Sequence, residues 1–358
     1  MPAGCFDCFE GVLMGLRKSK PHSNRHYHGD DGLIDVISTH QVVDYDPVHR
    51  DAVTCVTAYS ETFCLSGSAD RTLALFNLHS GVMTQRWRGH DKEITKIVVS
   101  KEEIVYSSSR DKNIKLWKIG DGSSSEITTY EGHKLVVTGI DLNTDETMLF
   151  SGSRDNSVRL WDVNIGDCIR QSEVTRNLVS CVKWIPDSHE VAQTGEDKMV
   201  RIWDTRTMTP AFTFPPKQHF QTCCDCSSDG RYILTCNNGF NRSGCEATLW
   251  DVRQRKQVHQ YVGHDQTASA CMFLPFADDI TTQPLIATAS HDSTVRIWKR
   301  DTKECVLIEE FPGSGPLTGL AAFKSGSILV SSFNIGIYNL SLERRDDGRL
   351  TLKRMIHF

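Results

Sequence analysis

The sequence repeats itself at intervals of about 43 residues, and no other feature constrains the fold as strongly. The first marker of each repeat is a histidine or a polar residue in its place, clear in Gly89-His90, Gly132-His133 and Gly263-His264 and weaker in Val48-His49, Arg176-Asn177 and Gln218-His219. A period of this length indicates stacked copies of one small unit, because each copy buries its apolar face only against the next one. The chain of 358 residues is therefore predicted to fold as one repetitive domain.

Two further markers follow the first one in a fixed order. A run of small residues that ends in aspartate comes first, at 66–70, 107–111, 151–155, 193–197 and 289–292. An aromatic residue comes next: Trp117, Trp161, Trp203, Trp250 and Trp298, with Phe76 and Tyr338 in the same slot of the first and last repeats. Between these markers, Val158 and Leu160 alternate with Arg159, which is typical of a half-buried strand. The pattern predicts short strands that are separated by turns.

This arrangement of markers resembles the WD-repeat β-propeller family over about residues 45–343. The resemblance implies an all-β fold, a seven-bladed propeller with four antiparallel strands in each blade. On this basis we expect residues 36–358 to form a single propeller and residues 1–35 to form a basic, disordered leader. Further segments resemble one animal branch of the family. They are 175–179 with 184–186, 217–222, 244–251, 313–318 and 332–337. This resemblance implies a cilium-associated adaptor.

The seventh repeat is degenerate, so the markers do not fix its fourth strand. Residues 41–45 precede His49 as residues 85–87 precede His90, which favours closure of the ring by the N-terminal segment. Residues 350–356 could supply the strand instead, after an Asp-Asp-Gly turn. We expect N-terminal closure; either strand would cover the open edge of the sheet, as a propeller requires.

In the family, the first-marker histidine, a serine or threonine of the second strand, the turn aspartate and the tryptophan form a hydrogen-bonded relay. A buried imidazole and a buried indole N–H both need partners, so such a relay stabilises a blade. The resemblance assigns this structural role to His90, Asp111 and Trp117, to His133, Asp155 and Trp161, to His264, Asp292 and Trp298, and to Asp197 and Trp203. A histidine, an aspartate and a serine also fit a hydrolase, but their recurrence in several repeats favours the structural interpretation.

Departures from the repeat are the candidate binding positions, because the repeat itself is scaffold. The fifth repeat has an insertion, residues 237–245, in which Phe240 either packs onto its own blade or anchors a partner. In the family the residues just before the turn aspartates lie near one face. Here these residues are Arg110, Arg154, Glu196 and His291, and they are partner-binding candidates. The neighbouring Arg176 and Arg242 complete the set of candidates. We expect a mildly basic face that is either a solvated surface or a site for an acidic peptide.

Neither group of cysteines fits a metal site well, and no metal or other cofactor is predicted. Residues 223–226 contain three cysteines, but adjacent side chains of a strand point to opposite faces. In the leader, Cys5, Cys8 and two histidines have zinc-finger spacing, but Pro21 breaks the helix that such a finger needs. Without an export signal we expect mostly free thiols in a reducing compartment.

The leader also carries a lipidation motif. Gly15 follows Met14, with a serine five positions after that methionine, which matches the N-myristoylation pattern if translation starts at Met14. Basic residues come next, and a basic patch is the usual second membrane signal. If Met1 is used, Cys5 and Cys8 are alternative S-acylation sites. The remaining interpretation is an unmodified basic leader.

Composition narrows the function. The net charge is −5 with both signs mixed, which argues against wholesale non-specific nucleic-acid binding. No apolar run is long enough to span a membrane. We predict a non-enzymatic scaffold or adaptor that binds other proteins or peptides as a monomer within a complex. We expect it in the cytoplasm, with the cilium or a membrane surface as further locations. The alternatives are a ubiquitin-ligase substrate receptor or peptide reader and, in another class, a hydrolase that uses the blade histidines.

Overall fold

A computed structural model describes residues 42–120, 122, 124–173, 177–276, 283–334, 336–345 and 349–358. These residues form twenty-nine strands and no helix, so none of them belongs to a helix that could cross a membrane. The strands in chain order are β1 (Val43–Asp44), β2 (Val53–Ser60), β3 (Phe63–Ser68), β4 (Thr72–Asn77), β5 (Val82–Arg88), β6 (Ile94–Val99), β7 (Ile104–Ser109), β8 (Ile114–Lys118), β9 (Thr128–Tyr130), β10 (Val137–Leu142), β11 (Met148–Ser153), β12 (Ser157–Asp162), β13 (Cys168–Glu173), β14 (Val179–Trp184), β15 (Glu190–Gly195), β16 (Val200–Asp204), β17 (Thr209–Thr213), β18 (Gln221–Cys226), β19 (Tyr232–Asn237), β20 (Ala247–Asp251), β21 (Lys256–Tyr261), β22 (Ala268–Phe273), β23 (Leu285–Ser290), β24 (Thr294–Lys299), β25 (Cys305–Glu310), β26 (Leu317–Ala322), β27 (Ser327–Ser332), β28 (Ile337–Arg344) and β29 (Leu350–His357).

Consecutive strands form seven sheets, which we call blades 1 to 7. Blades 1 to 6 take four strands each in chain order, from β2–β5 to β22–β25, and blade 7 takes β26–β29 with β1 on its outer edge. The first strands of adjacent blades contact each other around the whole ring, including β26 of blade 7 and β2 of blade 1. The prediction of an all-β, seven-bladed propeller with four antiparallel strands per blade is confirmed.

The apolar core lies between the blades. It consists of seven clusters of buried side chains, one at each contact between adjacent blades. This pattern arises because alternate side chains of a strand face opposite neighbours. The cluster between blades 7 and 1 contains Phe358, which is fully buried and stacks on Phe76 with the ring centroids 3.8 Å apart. The ring is therefore closed by apolar packing as well as by strand pairing.

The expectation of N-terminal closure is wrong. The fourth strand of blade 7 is β29, which pairs antiparallel with β28. The N-terminal segment instead forms β1, a two-residue parallel strand outside β29, with Val43 opposite Ile356 and Asp44 opposite His357. A hairpin between consecutive strands closes a short loop, whereas N-terminal closure would close one that spans the whole ring. The lower entropic cost of the short loop favours the hairpin.

A belt of hydroxyl groups joins the first strands of the blades, and no sequence marker predicted it. The second residue of each first strand is a threonine or serine in a β-bulge, where it has no partner on the second strand. In six blades this hydroxyl donates to the first strand of the next blade at 2.5–2.7 Å: Thr95 to the carbonyl of Val137, Thr138 to Val179, Ser180 to Gln221, Thr222 to Ala268, Ser269 to Leu317 and Thr318 to Val53. The exception is Thr54, which donates to Gly67 of its own blade. The last bond of the belt ties blade 7 to blade 1.

Candidate functional site

Blade 3 contains a complete relay. His133 Nδ1 lies 3.0 Å from Asp155 Oδ2, and its Nε2 lies 2.8 Å from the hydroxyl of Ser151. Trp161 donates its indole N–H to the same hydroxyl at 2.8 Å. Ser153, which lies on the same strand, instead accepts the backbone N–H of Asp155 at 3.1 Å. The relay thus joins the loop before the first strand to the second strand, the turn and the third strand of one blade.

Blades 1, 2 and 6 contain equivalent relays, with Nδ1–carboxylate distances of 2.7–3.1 Å and Nε2–hydroxyl distances of 2.8 Å. Their members are His90, Ser107, Asp111 and Trp117 in blade 2; His264, Thr288, Asp292 and Trp298 in blade 6; and His49, Ser66 and Asp70 in blade 1, where Phe76 replaces the tryptophan. All four relay hydroxyls are 0 % exposed, so a substrate has no access to them. This geometry supports a structural role and argues against a hydrolase nucleophile.

Blade 4 keeps the same plan with different chemical groups. Asn177 occupies the histidine slot, and its amide pairs with that of Gln193 through hydrogen bonds of 3.1 and 2.8 Å. Trp203 donates its indole N–H to the side-chain amide oxygen of Gln193 at 3.0 Å. Arg201 donates to Asn177 and to the turn residue Asp197. The amide pair therefore replaces the imidazole and hydroxyl, and the guanidinium supplies the link to the aspartate.

Blade 5 departs furthest, because no hydrogen bond joins the ring of its first-marker residue, His219, to another described residue. The relay histidines of blades 1, 2, 3 and 6 lie four residues before the first strand, and in blade 5 that position is Lys217. The Lys217 ammonium lies 3.6 Å from the Glu246 carboxylate and 5.9 Å from the ring centroid of Trp250. Burial lowers the pKa of Lys217, and Glu246 opposes that shift. Trp250 donates to Thr235 at 3.0 Å, so an ammonium–carboxylate pair has replaced the imidazole–carboxylate pair.

The relay aspartates are held in their charged form. Burial alone would raise the pKa of Asp155, but hydrogen bonds from His133 and Ser157 outweigh it and hold the pKa well below its usual range. Burial lowers the pKa of His133 against the opposing effect of Asp155, which favours the neutral imidazole. The other relay aspartates shift in the same direction as Asp155: Asp70, Asp111 and Asp292.

We expect the propeller to lose stability as the pH falls from about 7 to about 3. An aspartate with a lowered pKa contributes stability that is complete above about pH 4 and is lost as the pH falls below that value. His133 acts in the same direction below about pH 6.5, because the unfolded histidine takes up a proton that the folded one rejects. Urea denaturation across this range measures the effect, and Asp155→Asn should make the decline shallower. A free energy of unfolding that stays constant in acid would contradict the expectation.

Seven equivalent residues form the rim of one face of the propeller. Each follows a second strand directly and donates its backbone N–H to the carbonyl just before the first strand of its blade, at 2.8–3.0 Å. The rim consists of Ala69, Arg110, Arg154, Glu196, Asn238, His291 and Phe333. Four of the predicted partner-binding residues lie in it. Asn238 and Phe333 were missed because no turn aspartate follows them, and Arg176 lies outside the described residues.

The predicted cations of the rim have acidic neighbours. Arg154 of blade 3 lies 2.6 Å from Glu196 of blade 4, and Arg110 lies 3.8 Å from Glu93. Burial lowers the pKa of His291, which favours its neutral form. The rim therefore places charges of both signs side by side.

The insertion of blade 5 is held firmly beside the rim. Thr267 donates its hydroxyl to the side chain of Asn238 at 2.8 Å, and Arg242 donates to the Asp265 carboxylate at 2.7 Å. The backbone N–H of Arg242 also donates to the Asp265 carbonyl at 3.0 Å. At the tip of this fixed loop, Phe240 is 68 % exposed. It does not pack onto its own blade, and the structure favours the alternative in which it is available to a partner.

The cysteines and the lipidation positions considered above lie partly inside and partly outside the described residues. The eleven cysteines within the described ranges are free thiols. In that same part of the chain, no group of three or more His, Cys, Asp or Glu side chains is arranged to hold a metal ion. The leader of residues 1–35, with Gly15, Cys5 and Cys8, lies outside the described residues.

Comparison with known proteins agrees with this architecture. The family model for the WD domain, G-beta repeat, matches more than half of the chain, at residues 42–77, 81–118, 124–162, 166–204 and 255–299. Pre-mRNA-processing factor 19 homolog 2 of Arabidopsis thaliana is 22% identical over 240 residues, which are 65% of this chain and 45% of that protein. Protein HIR1 of Cryptococcus neoformans is 24% identical over 281 residues, 73% of this chain and 32% of the relative. Nuclear distribution protein nudF of Aspergillus niger is 30% identical over 147 residues, 40% of this chain and 30% of the relative.

The chain spans less than half the length of each of these relatives. The family match covers blades 1 to 4 and blade 6, and the remaining blades share the same strand order and the same rim bond. The chain therefore belongs to the WD40 repeat family.

Proposed function

We propose that the chain is a non-enzymatic protein-interaction scaffold that binds other proteins or peptides through the rim and the blade 5 insertion. The observation that carries this proposal is the exposure of Phe240 on a loop that is fixed by hydrogen bonds. Aromatic side chains dominate the binding energy of many interfaces, and covering one with a partner removes a large apolar area from water. A loop that is already ordered loses little conformational entropy on binding.

The surroundings of Phe240 have the chemistry of a binding edge. Phe220, whose carbonyl accepts the backbone N–H of Asn238, is 39 % exposed, and Val262, just before the Gly-His loop of blade 6, is 67 % exposed. The Arg242–Asp265 ion pair lies on the same loop system and is largely exposed. Apolar anchors with a charged border are typical of protein-binding surfaces. A partner with an apolar pocket and charges of both signs at its edge would fit.

The alternative of a peptide reader or ubiquitin-ligase substrate receptor finds less support. Recognition of a peptide with one sign of charge needs a surface of the opposite sign. The rim instead pairs Arg154 with Glu196 and places Arg110 beside Glu93. We therefore favour an adaptor that holds folded partners.

We also propose a location for this adaptor. The segments described above resemble WD repeat-containing protein 31 of animals, which supports association with the cilium from a cytoplasmic pool. Acylation of the leader at Gly15, Cys5 or Cys8 would add membrane contact. Imaging of the tagged full-length chain tests the location, and the mass of the mature N-terminus tests the acylation. An unmodified N-terminus that begins at Met1 or Pro2 would remove the myristoylation proposal.

Replacing Phe240 with alanine should remove a subset of partners and leave the fold intact. Because the side chain is mostly in water, we expect the free energy of unfolding to change by less than about 0.5 kcal/mol. Quantitative proximity labelling in cells, with wild type and Phe240→Ala expressed at equal levels, measures the loss. Arg242→Glu should weaken the same partners, since it reverses the charge beside Asp265.

The matched control is Ile308→Ala. Ile308 is also a large exposed apolar residue, at 50 %, but it lies within β25, the outermost strand of blade 6. We expect this variant to keep the wild-type partner set. An identical partner list for wild type, Phe240→Ala and Arg242→Glu would rule out the proposed surface.

A further inference from the structure

Arginines of blade 1 line a cavity at its contact with blade 2. The cavity has a volume of about 290 Å³, and its lining includes Arg50, Arg71, Arg86 and Arg88. It lies on the same face as the rim, because Arg71 follows the rim residue Ala69 by two positions. The fold therefore brings guanidinium groups from two loops and from the outermost strand of blade 1 to one place.

These arginines are not compensated by acidic side chains. Arg50, Arg71 and Arg88 are exposed, and no ion pair or side-chain hydrogen bond joins any of them to another described residue. Arg86 is half-buried and donates to the carbonyl oxygen of Val48, which fixes its position beside the cavity. Like charges that lie together without a counter-ion repel each other, so the cavity favours an anion.

The carboxylate in the lining is already occupied within its own blade. Asp70 lies 3.1 Å from the relay histidine His49 and accepts the backbone N–H of Arg50 at 3.1 Å. Its other oxygen accepts the backbone N–H and the hydroxyl of Thr72 at 3.0 and 2.7 Å. Asp70 thus holds the relay and the turn together, and it leaves the arginine side chains without an ion pair.

The positive charge is particular to this contact between blades. The arginines occupy four positions of the repeat, namely the residue after the relay histidine, the residue after the turn aspartate and two positions at the end of the fourth strand. The same positions at the contact of blades 2 and 3 hold Asp91, Lys112, Thr129 and Glu131. That set mixes both signs of charge, so the repeat itself does not require arginine here.

The chemistry of the cavity suits a phosphate group. A guanidinium presents its N–H groups as a fork that matches two oxygens of a phosphate. A phosphorylated side chain has about two negative charges and three acceptor oxygens, so it can engage several guanidinium groups at once, whereas a carboxylate has one charge and two oxygens. The volume lies at the lower end of the range of about 300–1,000 Å³ for small-molecule sites. The described lining residues include no Phe, Tyr or Trp on which a nucleotide base can stack.

We propose that this cavity binds a phosphorylated side chain of a partner protein. Arg50, Arg71 and Arg88 donate to the phosphate oxygens, and Arg86 adds positive charge behind them. A membrane surface or a nucleic-acid backbone needs positive charge over a wide area, but the neighbouring rim pairs its arginines with glutamates. A single phosphate needs only this cavity. The proposal rests on the proposed function in one respect, that the partner is a protein, and it concerns a different part of the propeller from Phe240.

The test measures binding of fluorescent peptide pools to the purified full-length chain by fluorescence anisotropy. One pool has phosphoserine between random non-acidic residues, and the matched pool has serine in its place. We expect the phosphoserine pool to bind at least about tenfold more tightly, and we expect Arg71→Asn with Arg88→Gln to abolish the difference. Asparagine suits this turn, since Asn156 occupies the equivalent position of blade 3 with φ 68°, against 69° for Arg71.

Arg253→Gln is the matched control. Arg253 is an exposed arginine in the turn between β20 and β21, and it forms no ion pair with another described residue. This variant should keep the full preference for phosphoserine. Inorganic phosphate should displace the phosphoserine pool only at a much higher concentration, because it lacks the contacts of the flanking peptide.

Three results would overturn the proposal. The first is equal binding of the two pools to the wild type. The second is an unchanged preference in Arg71→Asn with Arg88→Gln when the circular dichroism spectrum is that of the wild type. The third is displacement by inorganic phosphate at the same concentration as by the phosphopeptides, which would indicate a small phosphorylated molecule instead. Arg50→Gln, in a separate loop, takes the place of the double variant if that variant fails to fold. None of these measurements involves the blade 5 insertion, so they fail or succeed independently of the surface around Phe240.

Discussion

Replacing Phe358 with alanine is expected to destabilise the propeller by about 3–5 kcal/mol, because it leaves a cavity at the contact that closes the ring. The Phe358 side chain is 0 % exposed and stacks on Phe76 of blade 1 at 3.8 Å between ring centroids. Its backbone also pairs with that of Ile337 in both directions, at 2.6 and 3.1 Å. The substitution removes the ring that packs blade 7 against blade 1 and leaves the strand pairing in place.

Val43→Ala provides the matched control. Val43 lies in β1, the outermost strand of the same blade, and is 45 % exposed. Truncating it should change the free energy of unfolding by less than about 0.5 kcal/mol. Urea denaturation, followed by the fluorescence of the buried tryptophans, compares the two variants with the wild type. If Val43→Ala cost as much as Phe358→Ala, the N-terminal strand would carry the closure after all.

The architecture was predictable because its signal is repeated. A single Gly-His pair or a single tryptophan carries little information, but three markers in a fixed order identify the strands and turns of each repeat. Each marker also has a physical role that the structure displays, as in the bonds of His133 and Trp161 to one buried hydroxyl. A marker that is weak in one repeat can therefore be placed from the spacing of the same marker in the adjacent repeats.

The ring closure was not predictable on the same basis, because it occurs once. Residues 41–45 resemble the strand before a first marker, yet the strand found among its described residues is only Val43–Asp44, and it pairs in parallel outside β29. The pattern records which residues can form a strand and not which of two strands has the lower cost of loop closure. That choice depends on the hairpin between β28 and β29.

The replaced relay of blade 5 shows a second limit. His219 lies two residues before the first strand, as Asn177 does in blade 4, but its ring forms no hydrogen bond to another described residue. Lys217, two residues earlier, makes the contact with the carboxylate instead. Different side chains can pair with a carboxylate in this part of a blade, and the first marker does not show which one will. Lys217 with Glu246 does so here.

The rim positions of the candidate residues were predictable, but the pairing of their charges was not. The turn aspartates located Arg110, Arg154, Glu196 and His291 on one rim. Whether a rim arginine forms an ion pair depends on which residue the adjacent blade places beside it. The repeat pattern does not show which residues of adjacent blades are in contact. The contact of Arg154 with Glu196 joins blades 3 and 4.

The second large effect is expected for His133→Ala, which should lower the free energy of unfolding by about 3 kcal/mol. The substitution removes the hydrogen bonds of the imidazole to Asp155, Ser151 and Ser157 and leaves a cavity beside Trp161. The Asp155 carboxylate stays ionised in a mostly buried site with only its remaining donors, which include the backbone N–H of Lys134 at 2.7 Å. Removing one member of a buried pair lowers the free energy of unfolding by more than the intact pair adds to it, because the remaining buried group loses its partner.

His189→Ala is the control for this variant, because His189 is an exposed histidine that forms no hydrogen bond through its ring among the described residues. It should unfold at the wild-type urea concentration, whereas His133→Ala should unfold at a clearly lower one. The same pair of variants separates the structural relay from a hydrolase. A catalytic histidine could be removed with little effect on stability, whereas a relay histidine could not, because its imidazole holds the turn and the second strand of blade 3 together. An unchanged stability of His133→Ala would therefore reopen the enzymatic interpretation of the blade histidines.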